Sequence, residues 1–522
     1  MGIVVVPDPN SVNKNGLPTS STGPDHISTS GISILADPAF TEQLKPFIGQ
    51  QLTVAGLYSL TQKVGRWYRD HDRPFTGLAA PPQNVSSGVV QVVALQYRLG
   101  AILTEGNRWF SDDLLKDESG LEIGQTLTLS GVQQSLDRLN ENPFRTVTAV
   151  FQPGEDPGET DVVLKTADRL PLRVYSSFDN SGVATLGRGE WSVGANWGNA
   201  LWLDQQLSYQ FTRSTSGRFN AHSLSWSIPL PWRDTIQIFG SYEQERPSLA
   251  ADFNETGSGG QASLRYVHAL PNLTLAKEIK LKEDVQIGYD FKTTNNNLEF
   301  GGFQVFGSEI EVDQFPFVYD ATETDPYGQT TVTNQFVYSP GGVTQANNDR
   351  TFQVGVAGSS ANYVYDRLQL TRVTLLPADF SWISRLVGQA ANGNLQFSEQ
   401  LDAGGPGSIR GYYSNTATGT RGLLLSQEIR TPARSVLGLL WPQSAVKDAL
   451  QFGAFWDWGH VAQIKAVPDQ AIAETLSSAG LDAQMTLDRY FSLQFDIGWQ
   501  LRAKPGATER GAVGDLSLTF GY

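Results

Sequence analysis

Two small α/β modules followed by a large all-β antiparallel barrel is the fold this sequence predicts, and three observations carry it. Helical spacing of apolar residues alternates with short strand-like runs, twice over, between residues 26 and 170. From Leu172 onward the apolar residues recur at every second position, the period of a strand with one apolar face. The composition agrees: 52 glycines and 11% aromatics, with only 17% charged residues, suit many strands joined by tight turns.

The bulk numbers exclude several classes. At 522 residues the chain has room for roughly two to four domains. It has no cysteine, so neither disulfides nor thiolate metal sites hold it together, which fits any compartment, an oxidising periplasm included. A formal net charge of −15 and a pI near 4.9 argue against a nucleic-acid footprint. No run of about 18 apolar residues occurs, so no transmembrane helix is expected. A mean hydropathy of −0.26 would ordinarily mark a soluble protein. A membrane barrel escapes that test, because only every second residue of each strand meets lipid. The start, Met1-Gly-Ile-Val-Val-Val-Pro7, has neither a basic n-region nor a long apolar h-region, so the chain reads as a mature form with an added Met.

Residues 1–25 carry Pro7, Pro9, Gly16, Pro18, Gly23 and Pro24 with little periodicity, which predicts an N-terminal linker or arm without a helix. Residues 26–100 read as the first α/β module. Gly31–Leu35 fits a short strand, and Phe40, Leu44 and Phe47 share one helical face that Pro46 cuts short. Thr53 is placed to cap a second helix lined by Val54, Leu57, Leu60, Val64 and Trp67, and Gly88–Tyr97 is a strand. Residues 101–170 repeat the order with Ile102-Leu-Thr, a short helix over Trp109–Leu115, and a capping-box signature at Ser130-Gly-Val-Gln133 ahead of Leu136 and Leu139. Strands near 145–152 and 160–166 flank the tight turn Pro153-Gly-Glu-Asp-Pro-Gly158.

Beyond Leu172 the alternation is plain in Leu207, Tyr209, Phe211; in Leu224, Trp226, Ile228; in Val285, Ile287, Tyr289, Phe291; and in Phe491 to Leu501. Period two alone does not separate a soluble sandwich from a membrane barrel. Three features favour the barrel. The polar face is small and mostly neutral, as a wet lumen would be. Aromatics cluster where strand ends are expected (Trp197 with Trp202, Trp232, Trp456 with Trp458, Tyr412 with Tyr413), as in interfacial girdles. The chain stops on a strand with an aromatic last residue, Leu516-Ser-Leu518-Thr-Phe520-Gly-Tyr522. Ala321–Thr333 and Ser339–Asn348 look like loops.

The stretch with the sharpest chemistry is Gly404-Gly-Pro-Gly-Ser-Ile-Arg-Gly-Tyr412, where four glycines and a proline bend the backbone around a single Arg410. A lone guanidinium there needs an anionic partner. In the later strand Leu450, Phe452, Ala454, Trp456 and Trp458 make the apolar face, so Phe455, Asp457 and Gly459 point into the lumen. Glu428 faces the lumen by alternation with Leu425 and Ile429 and is a second candidate acid. A guanidinium grips a carboxylate with two parallel hydrogen bonds, which Lys cannot do. The pair reads as a lock that sets the loop's position; a buried pair that only stabilises the fold is the alternative.

Ile409-Arg410-Gly411-Tyr412 resembles the (V/I)RG(Y/F) loop of the Omp85 superfamily, and Phe455-x-Asp457-x-Gly459 resembles its F-x-D-x-G wall motif. Ser398-Glu399-Gln400, Gly422–Arg430, Asp179-Asn180-Ser-Gly182, Leu203-Asp204-Gln205 and the Pro153–Gly158 turn narrow this to the two-partner-secretion transporters of bacterial outer membranes. The resemblance spans about residues 30–522. It implies POTRA domains at 26–100 and 101–170 and a transmembrane barrel at 171–522 of 16 strands, where the periodicity alone tolerates about 14 to 18. It also implies a loop around 402–415 that folds into the lumen and pairs Arg410 with Asp457. Leu516, Leu518, Phe520 and Tyr522 resemble the C-terminal signal of outer-membrane barrels.

The function implied is a pore that passes an unfolded exoprotein, a large β-helical adhesin or haemolysin, with its POTRA domains in the periplasm. Its other partners would be outer-membrane lipid and, during biogenesis, the barrel assembly machinery. No cofactor, metal or nucleic acid is expected. A barrel assembly factor or a passive porin are the alternatives. An enzyme is not expected: the five histidines (26, 71, 222, 268, 460) are scattered without metal-ligand spacing, and His460 near Asp457 has no nucleophile beside it. Glu309–Asp313 and Asp320–Asp325 read as solvated loop charge.

Overall fold

Gly2-Ile-Val-Val-Val6 is a fully buried strand in the middle of a four-stranded sheet. It runs parallel to Ile27–Ser28 on one side and to Val89–Gln96 on the other, and Thr76–Ala79 closes the far edge. The linker expected over residues 1–25 is therefore corrected. A short apolar run without alternation is the mark of a strand covered on both faces. Ile3 and Val5 pack on helices Pro38–Leu44 and Val54–Asp70. Val4 and Val6 are covered by Val12 and Leu17, so the Pro/Gly-rich segment wraps the sheet as an ordered strap. This computed structural model describes all residues except 30, 250–252, 277, 301–302, 441–442, 444–445 and 469–470, and omits the side chains of 253, 439 and 440.

Within this module Gly31–Leu35 is not a strand; Ser33–Leu35 makes a single 3-10 turn. Thr53 does cap the long helix, its hydroxyl accepting from the Gly56 N–H at 3.0 Å. The second module has strands Arg98–Glu105, Glu159–Asp168 and Arg145–Pro153 under helices Asp112–Ser119 and Leu129–Leu139. Its second helix is capped by Thr128, whose hydroxyl accepts from Gly131 N–H at 2.9 Å, and not by Ser130. Ser130 is used differently: its N–H donates to Asp72 Oδ1 at 2.8 Å, tying this helix to the first module. Thr128→Ala is expected to cost about 1 kcal/mol, read as a lower midpoint when residues 1–170, one compact unit, are unfolded in urea.

The second unit, Pro171–Tyr522, is a closed barrel. Sixteen antiparallel strands run from Leu172–Asp179 to Ala512–Gly521; Phe253–Ala269 and Leu273–Ala276 lie along the same neighbour, Ile279–Phe300, and count as one strand. The two long strands Ile279–Phe300 and Phe303–Asp325 outreach their neighbours. Glu309–Asp313 and Asp320–Asp325 therefore sit in a strand and not in loops, with Arg372 donating to Asp325 at 2.8 Å. Ala321–Thr333 is a hairpin, not a loop. Of the expected girdle, Trp202 and Trp232 do occupy turns, at the end of the barrel where the chain enters, and are well exposed. Trp456 and Trp458 instead lie mid-strand, and Tyr412 is buried inside the lumen.

The closing seam pairs Tyr175–Asp179 with Ser517–Gly521, and Phe520 and Tyr522 are exposed there. Asn180 lengthens the seam with its side chain. Its amide donates to Gly514 O at 2.9 Å, and its carbonyl oxygen accepts from Leu516 N–H at 2.7 Å, imitating one more rung of the ladder.

Candidate functional site

Residues 392–420 join strands Ser381–Ala391 and Arg421–Arg430 at the end of the barrel remote from Leu172, and turn back into the lumen. A short ladder, Leu401–Ala403 against Ala417–Gly419, forms the stem. The tip folds on itself where Gly404 and Gly405 take φ of +129° and +91°, with Gly405 N–H donating to Tyr412 O at 2.9 Å. Gly411 has φ +83° and lies against the wall at Gly498, where a Cβ on Gly411 would stand 2.9 Å from the Gly498 carbonyl carbon. Two glycines thus let two backbones touch. Gln500 holds the position, its amide donating to Gly411 O at 2.9 Å.

This contact aims Arg410 at the wall. Arg410 Nε and Nη2 donate to Asp457 Oδ2 and Oδ1 at 2.9 and 3.0 Å, the two-pronged grip, and the Arg410 backbone N–H adds a third bond to Oδ2 at 3.0 Å. Nη1 donates to Glu428 Oε2 at 2.7 Å, and Nη2 to Ser426 Oγ at 3.2 Å. Asp496 Oδ1 stands 3.6 Å from Nη1. The guanidinium carbon sits over the Phe455 ring, 3.5 Å from its centroid. That ring has room only because residue 480 is glycine; a Cβ there would be 2.3 Å from Phe455 Cζ. Gly459 serves likewise, since a Cβ there would meet Leu424 at 2.8 Å and Ile409 at 3.0 Å. Arg430 holds the other Glu428 oxygen and stands 3.9 Å from Asp482, and Arg385 approaches Glu428 to 3.9 Å, so three arginines and the four acids Glu428, Asp457, Asp482 and Asp496 share one network. Tyr412 is anchored separately, its hydroxyl donating to Arg502 O at 2.6 Å and accepting from Ser477 N–H at 3.2 Å.

Ile409, Arg410, Gly411, Tyr412, Glu428, Phe455, Asp457 and Gly459 are therefore brought together at one place. Leu516, Leu518, Phe520 and Tyr522 are not part of it; they belong to the last strand and its seam. His460 lies on the opposite strand face from Asp457, its Nδ1 2.8 Å from Thr475 Oγ1. A second anchorage escapes the sequence reading. Glu399, at the start of the stem and fully buried, accepts from Lys292 Nζ at 2.6 Å, Tyr365 OH at 2.8 Å and Gln314 Nε2 at 3.2 Å. The loop is thus pinned to one stretch of wall by its stem and to another by its tip.

Residues 158–485 match the haemolysin secretion/activation protein family ShlB/FhaC/HecB, and residues 24–96 match the ShlB-type POTRA domain. The chain belongs to the ShlB/FhaC/HecB family. It is 23% identical over 458 residues to the outer membrane transporter CdiB of Dickeya dadantii, covering 85% of this chain and 76% of that one. The heme/hemopexin transporter protein HuxB of Haemophilus influenzae is 20% identical over 405 residues, covering 74% and 68%. The solved CdiB of Escherichia coli superposes with a TM-score of 0.78 at 19% identity, covering 94% of this chain and 89% of that one. BamA of Haemophilus ducreyi lacking POTRA domains 1–3 gives 0.52 at 14% identity, covering 91% and 95%. These likenesses bear out the POTRA-then-barrel fold. A member of the ShlB/FhaC/HecB family is an outer-membrane transporter with its POTRA domains in the periplasm, so the end of the barrel where the chain enters is the periplasmic one.

Proposed function

We propose that this protein secretes an unfolded partner exoprotein of the adhesin or haemolysin type, and that the Arg410 loop is the lock on its pore. The periplasm offers no ATP, so the cargo supplies the drive. An extended segment of cargo adds to a POTRA strand edge, the lumen passes it as the loop yields, and folding outside makes the passage one-way. The observation that supports the lock is the burial of both Asp457 oxygens against one guanidinium carried by a bent glycine loop. Such a pair resists thermal fraying yet is released as a unit once the loop backbone shifts.

Glu399→Gln, which keeps the shape and removes the charge beside Lys292, is expected to loosen the whole loop. Its conductance in a planar bilayer would be noisier, with open time raised about threefold to tenfold, as for one charge-assisted bond lost in a part-buried site.

Deleting the gene in its own host tests the function itself. Loss of one large exoprotein from the medium or surface, with other outer-membrane barrels unchanged, is expected. A broad fall in many barrels would instead make the protein an assembly factor.

A further inference from the structure

The outer wall of the barrel carries a polar site that the transport reading does not use. Arg213, Asn220, Gln244, Ser258 and Asn295 are direct cross-strand partners on five successive strands. They lie two positions beyond the row Phe211, His222, Tyr242, Gly260, Thr293, and four beyond Tyr209, Leu224, Gly240, Ala262, Phe291. Tyr209, Leu224 and Tyr242 are exposed, so these rows face outward, and Arg213 opens the polar edge of an apolar belt. The edge is at the end of the barrel remote from Leu172.

Two more arginines overhang it. Arg218 ends the turn after Arg213's strand, Arg246 follows Glu245, and Arg246 N–H donates to Arg218 O at 2.8 Å, which holds the two together. Arg213, Arg218 and Arg246, with Asn220, Gln244 and Asn295, line a cavity of about 520 Å³. All three arginines are exposed, and among the described residues no carboxylate pairs with any of them. Glu245 borders the cavity but belongs to the other strand face, its Oε1 2.6 Å from where a Cβ on Gly257 would be. Three unpaired guanidiniums on one wall stand out in a chain of net charge −15.

We propose that this cavity binds the phosphorylated headgroup of a glycolipid in the outer leaflet. The acyl chains lie along the apolar rows below, the guanidiniums fork the phosphate oxygens, and the carboxamides meet sugar hydroxyls. The inference rests on the outward face meeting lipid, and on the remote end of the barrel being external; it does not depend on the Arg410 lock. Its role would be to seat the barrel at a fixed height and rotation in the membrane.

The test measures binding of fluorescent lipopolysaccharide carrying a bisphosphorylated lipid A to the purified full chain in neutral detergent. The same preparation after enzymatic dephosphorylation, and inorganic phosphate as competitor, are run beside it. Arg213→Gln/Arg218→Gln/Arg246→Gln is compared with Arg489→Gln, at the opposite end of the barrel, with heat-modifiable migration confirming that each barrel is closed. The triple variant is expected to bind about a hundredfold more weakly, Arg489→Gln as the parent does. Dephosphorylation should weaken parent binding comparably, and inorganic phosphate at matching concentration should not compete. Equal binding by the triple variant, or retention of the dephosphorylated lipid, would overturn the proposal. Effective competition by inorganic phosphate would also overturn it, leaving a site for free anions. None of these readouts involves secretion, so the proposal and the transport reading fail separately.

Discussion

Arg410→Ala is expected to unlock the pore. Removing one partner of a buried ion pair costs about 3–5 kcal/mol, because the acids left behind stay desolvated. Asp457, with 0% of its surface exposed, would be stranded here, while Glu428 keeps its bond from Arg430. Water entering the lumen returns part of that cost, leaving about 2 kcal/mol, or roughly a thirtyfold shift toward the undocked loop. Planar-bilayer recording should show the open fraction rising by that order. Arg410→Lys should fall between, since an ammonium cannot reach Asp457 with two parallel bonds and Glu428 with a third. Exchanging the charges of residues 410 and 457 should rescue only in part: a carboxylate at 410 would face Glu428, which the guanidinium touches at 2.7 Å.

Gly498→Ala is expected to produce the same open pore without altering any charge. The new methyl carbon would stand 2.6 Å from the Gly411 nitrogen and 2.7 Å from its Cα. Both obstacles are backbone, so neither can swing aside, and overpacking of this kind costs about 1–3 kcal/mol. The tip must lift, taking Arg410 with it. Gly407→Ala is the control within the same loop, because nothing lies within 4 Å of a Cβ there. If Gly498→Ala and Gly407→Ala conduct alike, the close approach of the two backbones does not hold the loop.

The wall half of the site could be read from the sequence because period two is a strong constraint. Once Trp456 and Trp458 face outward, Phe455, Asp457 and Gly459 must face inward, and the same parity places Glu428. The loop half was legible in part: four glycines announce a bent backbone but not where it lands. Contacts such as Gly411 with Gly498, or Glu399 with Lys292 across 107 positions of sequence, depend on which strands the closed barrel sets side by side. No local pattern encodes that. The strand Gly2–Val6 is a different case. Its four apolar residues Ile3–Val6 carry the signal, and the prolines that follow obscure it, although they build a strap over the same sheet. The cap lies at Thr128, two residues before the expected place, because only Ser130 has the capping-box spacing, with Gln133, while its hydroxyl is spent on Asp72.

A reversible tether tests most directly whether the loop must move. Ser414 Oγ donates to Ser181 O at 3.0 Å, joining the loop tip to the segment after the first barrel strand. The chain has no cysteine, so a disulfide between Ser181→Cys and Ser414→Cys would be the one available. Secretion of the exoprotein is then followed in the gene's own host, with oxidised and reduced fractions of the barrel quantified in the same cells. The account requires that secretion stop in proportion to the oxidised fraction and return on adding reductant, with either single variant secreting normally. Full oxidation with undiminished secretion would show that cargo passes while the loop stays docked, and the lock would be wrong.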